Sequence, residues 1–251
     1  MSDSVNRFSN RVADYVKYRP DYPREIIPFL NETCGLITDS MIADVGCGPG
    51  ISSKIFLDNG NRVIGVEPNA AMRDAAREYL AGYDNFSIVE GRSDATTLED
   101  ASVDFIIAAQ AFHWFEPEAT RAEFKRILKP GGHIVLMWNE RQLDSNEFHR
   151  EYEALLVRWS TDYQTVRHEN IQAGELSNFF QDEYGSHVFG NNKLYDFDIL
   201  KGRMSSSSYI PATDDPVYPQ MVDELRQIFA KHAVADRIEV RYDTSVYYSL
   251  T

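Results

Sequence analysis

The 251-residue sequence is poor in cysteine, in basic residues and in long apolar runs. Its two cysteines, Cys34 and Cys47, lack Cys-x-x-Cys spacing, which argues against a disulfide framework and against a zinc site. Acidic residues number 39 against 25 lysines and arginines, and the net charge of −14 is poorly suited to neutralising the phosphates of DNA or RNA. No apolar run approaches the roughly 20 residues that span a bilayer. The polar N-terminus also lacks the apolar segment of a signal peptide.

These absences predict a soluble, cytoplasmic protein with no nucleic-acid partner, no membrane partner and no bound metal. The hydrophobic content of 43% is sufficient for a folded core. The length allows one large domain, or one domain with a cap.

The segment from Met41 to Ile51 carries the strongest local signal. An apolar run ends at Asp44 and Val45, the loop Gly-Cys-Gly-Pro-Gly follows at 46–50, and a helical pattern begins after it. Glycine accepts positive φ and lets the backbone approach a ligand closely. A loop of this kind before a helix presents free N–H groups to a bound group. The sequence therefore predicts a strand, a tight turn and a helix N-terminus that together bind a ligand.

The next apolar run, residues 62–67, ends in Glu67. Its distance from the glycine loop matches the spacing of about 20 residues at which a carboxylate meets ribose hydroxyls in dinucleotide-type folds. The nicotinamide fingerprint requires a third glycine where Ile51 stands, which disfavours an NAD-dependent oxidoreductase. No Gly-Lys-Ser/Thr follows the loop, which excludes a phosphate-binding P-loop.

The pattern Asp-x-Gly-x-Gly-x-Gly, with an acid ending the second strand, resembles the first motif of the class I S-adenosylmethionine-dependent methyltransferases. Later segments resemble the family's other motifs in the same order, over roughly residues 5–140. They are Gly-Arg-Ser-Asp-Ala at 91–95, the apolar run at 103–110, Ala-Phe-His-Trp-Phe at 111–115 and the turn Lys-Pro-Gly-Gly at 129–132. Tyr-Val-Lys-Tyr-Arg-Pro-Asp-Tyr-Pro at 15–23 and the His-Trp pair resemble a type 11-like, small-molecule subgroup that includes trans-aconitate methyltransferase.

Strands that alternate with helices predict an α/β fold with a doubly wound, mostly parallel sheet. The strands are expected near 41–46, 62–67, 86–90, 103–109 and 133–139. The resemblance implies seven strands in a Rossmann-like fold, a reversed C-terminal strand at the sheet edge and a helical cap. One domain would then span 1–251. Its expected parts are N-terminal cap helices (1–30), a cofactor-binding core (41–139), a substrate-pocket or cap insertion (140–215) and a final helix and strand (216–251).

The resemblance also implies S-adenosylmethionine as cofactor and S-adenosylhomocysteine as product. Gly46, Gly48 and Gly50 would let the backbone approach the cofactor, Asp44 would orient the loop or reach the cofactor's amino group through water, and Glu67 would bind both ribose hydroxyls. Further cofactor-binding candidates are Pro68, Met72, Asp94, Ala95, Gln110 and Phe112. Asp94 and the Ala95 N–H would bind the adenine. Met72 would pack against the adenine or belong to the core.

Candidates for catalysis and acceptor binding lie mainly after the fourth strand and at the N-terminus. His113 is the candidate general base, because imidazole titrates near neutrality; a hydrogen-bonded structural histidine is the alternative. Phe112 or Trp114 would face the sulfonium through cation–π attraction. The acceptor-binding candidates are Tyr15, Tyr18, Arg19, Trp114 and Trp138. Aromatic residues of the 140–215 segment, Tyr163 and Tyr209 among them, supply pocket walls or core.

The leading hypothesis is a small-molecule methyltransferase whose acceptor is a carboxylic acid or a hydroxyl compound, acting as a monomer or homodimer. The alternative is a module that binds S-adenosylmethionine without turnover, as a sensor or an assembly factor. The charge and the lack of an Asn/Asp-Pro-Pro-Tyr-like motif after the fourth strand disfavour a nucleic-acid methyltransferase.

Overall fold

The computed structural model describes residues 16–160, 163, 173–181, 183–207 and 209–250. The first half of this region alternates strands with helices, as predicted. Its elements are α1 (Ile26–Cys34), β1 (Met41–Val45), α2 (Ile51–Asp58), β2 (Arg62–Val66), α3 (Ala70–Tyr79), β3 (Phe86–Val89), β4 (Val103–Ala109), a 3₁₀ turn (Phe112–Trp114), α4 (Pro117–Ile127) and β5 (Leu128–Arg141).

The second half contains more helix and two antiparallel pairings. Its elements are α5 (Glu147–Trp159), α6 (Ala173–Phe180), β6 (Tyr184–Gly190), β7 (Lys193–Tyr195), α7 (Phe197–Ser205), α8 (Tyr218–His232), β8 (Ile238–Val240) and β9 (Tyr242–Ser249). The predicted amphipathic helix near the C-terminus corresponds to α8, which buries Met221, Leu225 and Ile228.

Seven strands form one sheet in the order β3-β2-β1-β4-β5-β9-β6. Strands β1 to β5 pair in parallel, and β9 runs antiparallel to both β5 and β6. The predicted α/β fold with a mostly parallel, seven-stranded sheet is therefore confirmed. The reversed strand β9 lies one position inside the edge, because β6 pairs with its outer side. The segment predicted as a cap insertion thus also supplies the edge strand.

Side chains of the central strands alternate between the two faces of the sheet, as the pleat requires. In β4, Phe105 and Ile107 belong to one buried cluster with α1 and α2, whereas Ile106 and Ala108 belong to a second cluster with α4 and α6. The central strands are thus apolar on both faces, which is typical of a parallel sheet covered on both sides.

Strands β1 and β4 are neighbours in the sheet, but the chain continues from them in opposite directions. From β1 it leads to β2 on one side, and from β4 it leads to β5 on the other side. In open α/β sheets a crevice forms outside the carboxyl ends of the strands at such a switch point. The topology therefore places the glycine loop after β1 and the aromatic segment after β4 beside one crevice.

One local detail of the sheet differs from the prediction. The Lys-Pro-Gly-Gly segment lies within β5 rather than before it, and the register against β4 shifts there, with Gly131 at a φ of 77°. Helix α7 is capped by Asp196, whose side chain accepts a hydrogen bond from the Ile199 N–H. Tyr15 and most of the predicted N-terminal helix lie outside the described residues.

A third buried cluster joins α5, α7 and α8 to the small β7–β8 sheet. Tyr152, Leu200 and Leu225 lie in it, and Tyr242 at the start of β9 links it to the main sheet. No helix in the described ranges has both the length and the apolar character needed to cross a membrane.

Candidate active site

A cavity of about 590 Å³ lies at the carboxyl ends of the parallel strands. The loops after β1, β2, β3, β4 and β5 all contribute to its lining. The N-terminal segment at 19–22 and three residues of the second half, Tyr163, Arg203 and Tyr209, complete it. The volume lies in the range of small-molecule and cofactor sites.

The glycine loop forms one wall of this cavity, and its glycines are required for different reasons. Gly46 has a φ of 70°, and a Cβ on it would lie 2.7 Å from the Cβ of Ala111. Gly48 has a φ of 53° and lines the cavity, and a Cβ on it would meet no protein atom within 4 Å. Gly46 therefore allows close packing of two loops, whereas Gly48 keeps open a space that a ligand can fill.

Asp44 is fully buried and does not line the cavity. Its Oδ2 accepts hydrogen bonds from the hydroxyls of Ser52 (2.7 Å) and Ser53 (2.6 Å) in the first turn of α2. Its Oδ1 has no hydrogen-bond partner in the described part of the chain. Burial raises the pKa of Asp44 to about 6, although the two hydroxyls oppose this rise. The carboxyl thus joins β1 to the first turn of α2 beneath the loop.

This buried carboxyl predicts a pH dependence of stability. In the folded protein Asp44 holds its proton more tightly than an unfolded aspartate, whose pKa is about 4. We therefore expect its contribution to the free energy of unfolding to fall by about 3 kcal/mol as the pH rises from about 4 to about 6, and to stay constant above that. In Asp44→Asn this fall is absent.

Denaturant unfolding of both proteins at closely spaced pH values from 4 to 8 measures the difference. Asp74→Asn is the matched control, because Asp74 is exposed and pairs with Arg77 at the surface. The pH profile, and not the absolute stability, is the diagnostic quantity, because asparagine changes the hydrogen bonding with the serines. Equal profiles for Asp44→Asn and the wild type would contradict the expectation.

Glu67 joins the loops after β1 and β2. Its side chain is buried, its Oε2 accepts from the Gly48 N–H at 3.0 Å, and its Oε1 accepts from the Asn69 N–H at 2.9 Å. Burial raises the pKa of Glu67, and the two N–H donors oppose this. Glu67 lines the cavity, and each carboxylate oxygen has capacity for a further hydrogen bond. The geometry is compatible with the predicted binding of two hydroxyl groups.

The region after β2 and β3 contains the remaining cofactor candidates. Pro68 and Met72 line the cavity. Asp94 also lines it, and its two oxygens accept from Arg92 at 2.9 and 2.6 Å. Ala95 requires a correction, because it is absent from the lining and its N–H donates to the Arg92 carbonyl at 3.1 Å. That N–H is therefore already used within a tight turn, and in this structure it is not directed to a ligand.

The aromatic segment after β4 divides between cavity and core. His113 and Trp114 line the cavity, and their ring centroids lie 4.8 Å apart. Phe112 requires a correction, because it is buried against Phe179, with ring centroids 4.6 Å apart. The 3₁₀ turn directs successive side chains to different sides, which the sequence pattern does not reveal. Gln110, a candidate for cofactor binding, lines the cavity.

Two acceptor-binding candidates also require correction. Trp138 is buried in the core beneath the 3₁₀ turn and does not line the cavity. Tyr18 packs against Gly202 of α7, where a Cβ would collide with its ring, and it too is absent from the lining. Arg19, in contrast, lines the cavity, and its Nη2 donates to the Ser206 carbonyl at 3.4 Å. The N-terminal motif therefore contacts the segment after α7 at the cavity.

Comparison with known proteins agrees with this geometry. The sequence profile of a family described as "Methyltransferase domain" matches residues 43–136, which contain the glycine loop, Glu67 and the aromatic segment. Residues 43–136 therefore carry a methyltransferase domain. An uncharacterised methyltransferase of Schizosaccharomyces pombe is 35% identical over 135 residues, which cover 53% of this chain and 53% of the relative. The match thus spans about half of that relative's length.

A second, methyltransferase-like protein of the same yeast is 27% identical over 257 aligned positions, covering 98% of this chain and 95% of the relative. Among solved structures, one from Anaeromyxobacter dehalogenans, provisionally assigned as a type II methyltransferase, superposes with a TM-score of 0.71. It is 22% identical, and the match covers 92% of this chain and 97% of that chain. This structural similarity extends the class I fold to nearly the whole chain.

Beyond the profile match, the methyltransferase cavity contains residues that the motifs did not identify. Tyr163 and Tyr209 of the aromatic 140–215 segment line it, but so do Arg141 and Arg203. Arg141 binds the Glu153 carboxylate at 2.5 Å and the Tyr163 hydroxyl at 3.1 Å. The two arginines lie 62 positions apart in the sequence, so no local spacing indicated that they line one cavity.

Proposed function

We propose that this methyltransferase transfers the methyl group of S-adenosylmethionine to a small-molecule acceptor that carries a carboxylic acid or a hydroxyl group. The observation that carries this proposal is Glu67. Its buried carboxylate joins the glycine loop to the loop after β2 and still faces the cavity. The profile match over the same residues supports the same conclusion.

The cavity residues fit this cofactor. The open space at Gly48 suits a ligand that approaches the backbone, and Glu67 suits two ribose hydroxyls. Met72 supplies an apolar surface for an adenine ring. S-adenosylmethionine supplies a methyl group activated by a sulfonium leaving group. A geranyl diphosphate methyltransferase solved in complex with this cofactor has a related fold, with a TM-score of 0.50 at 13% identity.

The remaining task of the protein is to orient the acceptor and exclude water, and positioning alone contributes about 7–11 kcal/mol to a reaction of this kind. Trp114 and His113 lie on the wall after β4, beside the glycine loop. A hydroxyl acceptor requires a base, and His113 would take its proton. A carboxylic acid is ionised at neutral pH and requires none. The net charge of −14 supports a small molecule over a nucleic acid as acceptor.

The test is a thermal-shift titration of the full chain with S-adenosylmethionine and S-adenosylhomocysteine, followed by transfer of a labelled methyl group to a panel of small acids and alcohols. A ligand that binds only the folded state raises the melting temperature. We expect both ligands to raise it, and the absence of a shift with either would refute the proposal. Binding without transfer to any acceptor would favour the module without turnover. The cavity continues past the glycine loop to Tyr209, and this extent favours an enzyme over a binding module without turnover.

Replacement of His113 by glutamine distinguishes the two acceptor classes. For a hydroxyl acceptor we expect kcat to fall about 10²–10⁴-fold, because a positioned base contributes that much. For a carboxylic acid we expect kcat to change less than about threefold. In both cases the affinity for S-adenosylhomocysteine, measured by calorimetry, should stay close to that of the wild type. A large loss of that affinity would show that His113 serves the cofactor instead.

A further inference from the structure

Arg203 is a mostly buried arginine that borders the cavity. It lies near the end of α7, and its Nη1 donates to the Ser207 hydroxyl at 2.9 Å. Its Nε is shielded from solvent and has no hydrogen-bond partner among the described residues. Within the same residues no carboxylate forms an ion pair with it. A buried charge without a counter-ion is unfavourable, and one that persists requires an explanation.

Tyrosines, rather than acids, are the main electrostatic neighbours of this guanidinium. They are Tyr152, Tyr195, Tyr209 and Tyr242. Burial raises the pKa of Tyr152 and of Tyr195, so both remain neutral at physiological pH. The tyrosine hydroxyls therefore supply hydrogen-bonding groups without cancelling the charge of Arg203. The result is a polar, positively charged recess at this end of the cavity.

Arg141 also lines this side of the cavity, and it differs from Arg203 in its ion pairing. Arg141 is also buried, but it lies 2.5 Å from the carboxylate of Glu153, which is itself mostly buried. Its charge is thus balanced within the protein. Among the described residues Arg203 has no such partner, although both side chains line the same cavity. Of these two arginines, Arg203 is therefore the one whose ion-pairing capacity is available to a ligand.

We propose that Arg203 determines acceptor specificity by binding an anionic oxygen pair of the acceptor, such as a carboxylate. This inference rests on the proposed function. A carboxylate fits the two-pronged guanidinium and adds charge-assisted hydrogen bonds. It also supplies a counter-ion, which none of the described residues provides at this position. Neutral analogues of the same shape would leave the buried charge unbalanced and would bind more weakly.

The experiment measures binding of short dicarboxylates to the full chain saturated with S-adenosylhomocysteine, by thermal shift and calorimetry in about 0.15 M salt to screen surface charges. The probes are malonate, succinate and glutarate, their diamides, and inorganic phosphate. The proteins are the wild type, Arg203→Met, Arg203→Lys and the control Arg126→Gln. Arg126 lies on the surface and pairs with Asp100 and Glu123, away from the cavity.

We expect at least one dicarboxylate, or phosphate, to bind the wild type and the control, and the diamides to bind at least about tenfold more weakly. In Arg203→Met the affinity for the anion should fall at least about tenfold, and Arg203→Lys should lie between the two. Stronger binding of phosphate than of every dicarboxylate would identify a phosphorylated acceptor, which supports the anionic group. The ligand-free melting temperature of Arg203→Met should equal or exceed that of the wild type, because an unbalanced charge is removed.

The inference is overturned if the diamides bind as well as the acids, if the anion affinity survives in Arg203→Met, or if no probe binds the wild type. S-adenosylhomocysteine also carries a carboxylate, so its affinity for each variant is measured first. If Arg203→Met loses as much affinity for S-adenosylhomocysteine as for the anionic probe, the arginine serves the cofactor and the acceptor role is overturned. If the wild type binds no S-adenosylhomocysteine, the proposed function fails, and the anion titration is then scored on the ligand-free protein.

Discussion

Replacing Glu67 by alanine is expected to weaken S-adenosylhomocysteine binding at least about 100-fold. Its carboxylate lies in the cavity wall, and hydrogen bonds from two hydroxyls to a charged group contribute about 1.5–3 kcal/mol each. The loss of both corresponds to about 3 kcal/mol or more, and each 1.4 kcal/mol is a factor of about ten. The variant also frees the N–H groups of Gly48 and Asn69, which loosens the glycine loop and adds to the loss.

Calorimetry with S-adenosylhomocysteine measures this effect, and circular dichroism checks that the variant is folded. Glu90→Ala is the matched control, because Glu90 follows β3 at the same end of the sheet but its side chain is 75% exposed and it pairs with Arg73. The control should bind the ligand as the wild type does. A Glu67→Ala protein that is folded and retains full affinity would contradict the cofactor role of this residue.

Replacing Gly46 by alanine is expected to lower the free energy of unfolding by about 2–5 kcal/mol. An L residue with left-handed backbone angles costs about 1–2 kcal/mol, and Gly46 has a φ of 70°. The new methyl group would also lie 2.7 Å from the Ala111 Cβ, and overpacking of this kind costs about 1–3 kcal/mol. Because both loops flank the cavity, ligand binding should decline together with stability.

Denaturant unfolding measures the change, with Gly82→Ala as the control. Gly82 is exposed, and a Cβ on it would meet no atom within 4 Å. Gly48→Ala separates the two functions of the loop. It introduces backbone strain without a collision, so we expect a smaller loss of about 1–2 kcal/mol together with a clear loss of S-adenosylhomocysteine affinity. If Gly46→Ala is as stable as Gly82→Ala, the close packing of the two loops is not important for stability.

The half of the site that we propose binds the cofactor was largely predictable, because its residues belong to short sequence motifs. The glycines of the loop and Glu67 each lie at the carboxyl end of a strand that the apolar pattern identifies. Parallel strands place such ends at one edge of the sheet, so adjacency in the fold follows from the order of the motifs. For these residues the geometry follows directly from the sequence pattern. Gly48 and Glu67 are indeed joined by a hydrogen bond.

Side-chain direction was not predictable within the aromatic segment. Phe112, His113 and Trp114 are consecutive and all are aromatic, but only the latter two line the cavity. Which side each faces depends on the 3₁₀ turn and on the fit of Phe112 against Phe179, a residue of α6. Similarly, Trp138 ends in the core because side chains of β5 alternate between the faces and its neighbours fill the space around it.

The sequence by itself determined the class of the fold, the glycine loop and the acid that faces it, because periodicity, backbone freedom and strand order act over short distances along the chain. Only the tertiary structure decided how the charged residues at the proposed acceptor end of the cavity are paired. Arg141 and Arg203 look equivalent in the sequence, but Arg141 pairs with Glu153, whereas Arg203 lies among tyrosines. Whether a buried charge is balanced depends on groups that folding brings together from distant segments, and this is why the proposed anion-binding role of Arg203 appears only in three dimensions.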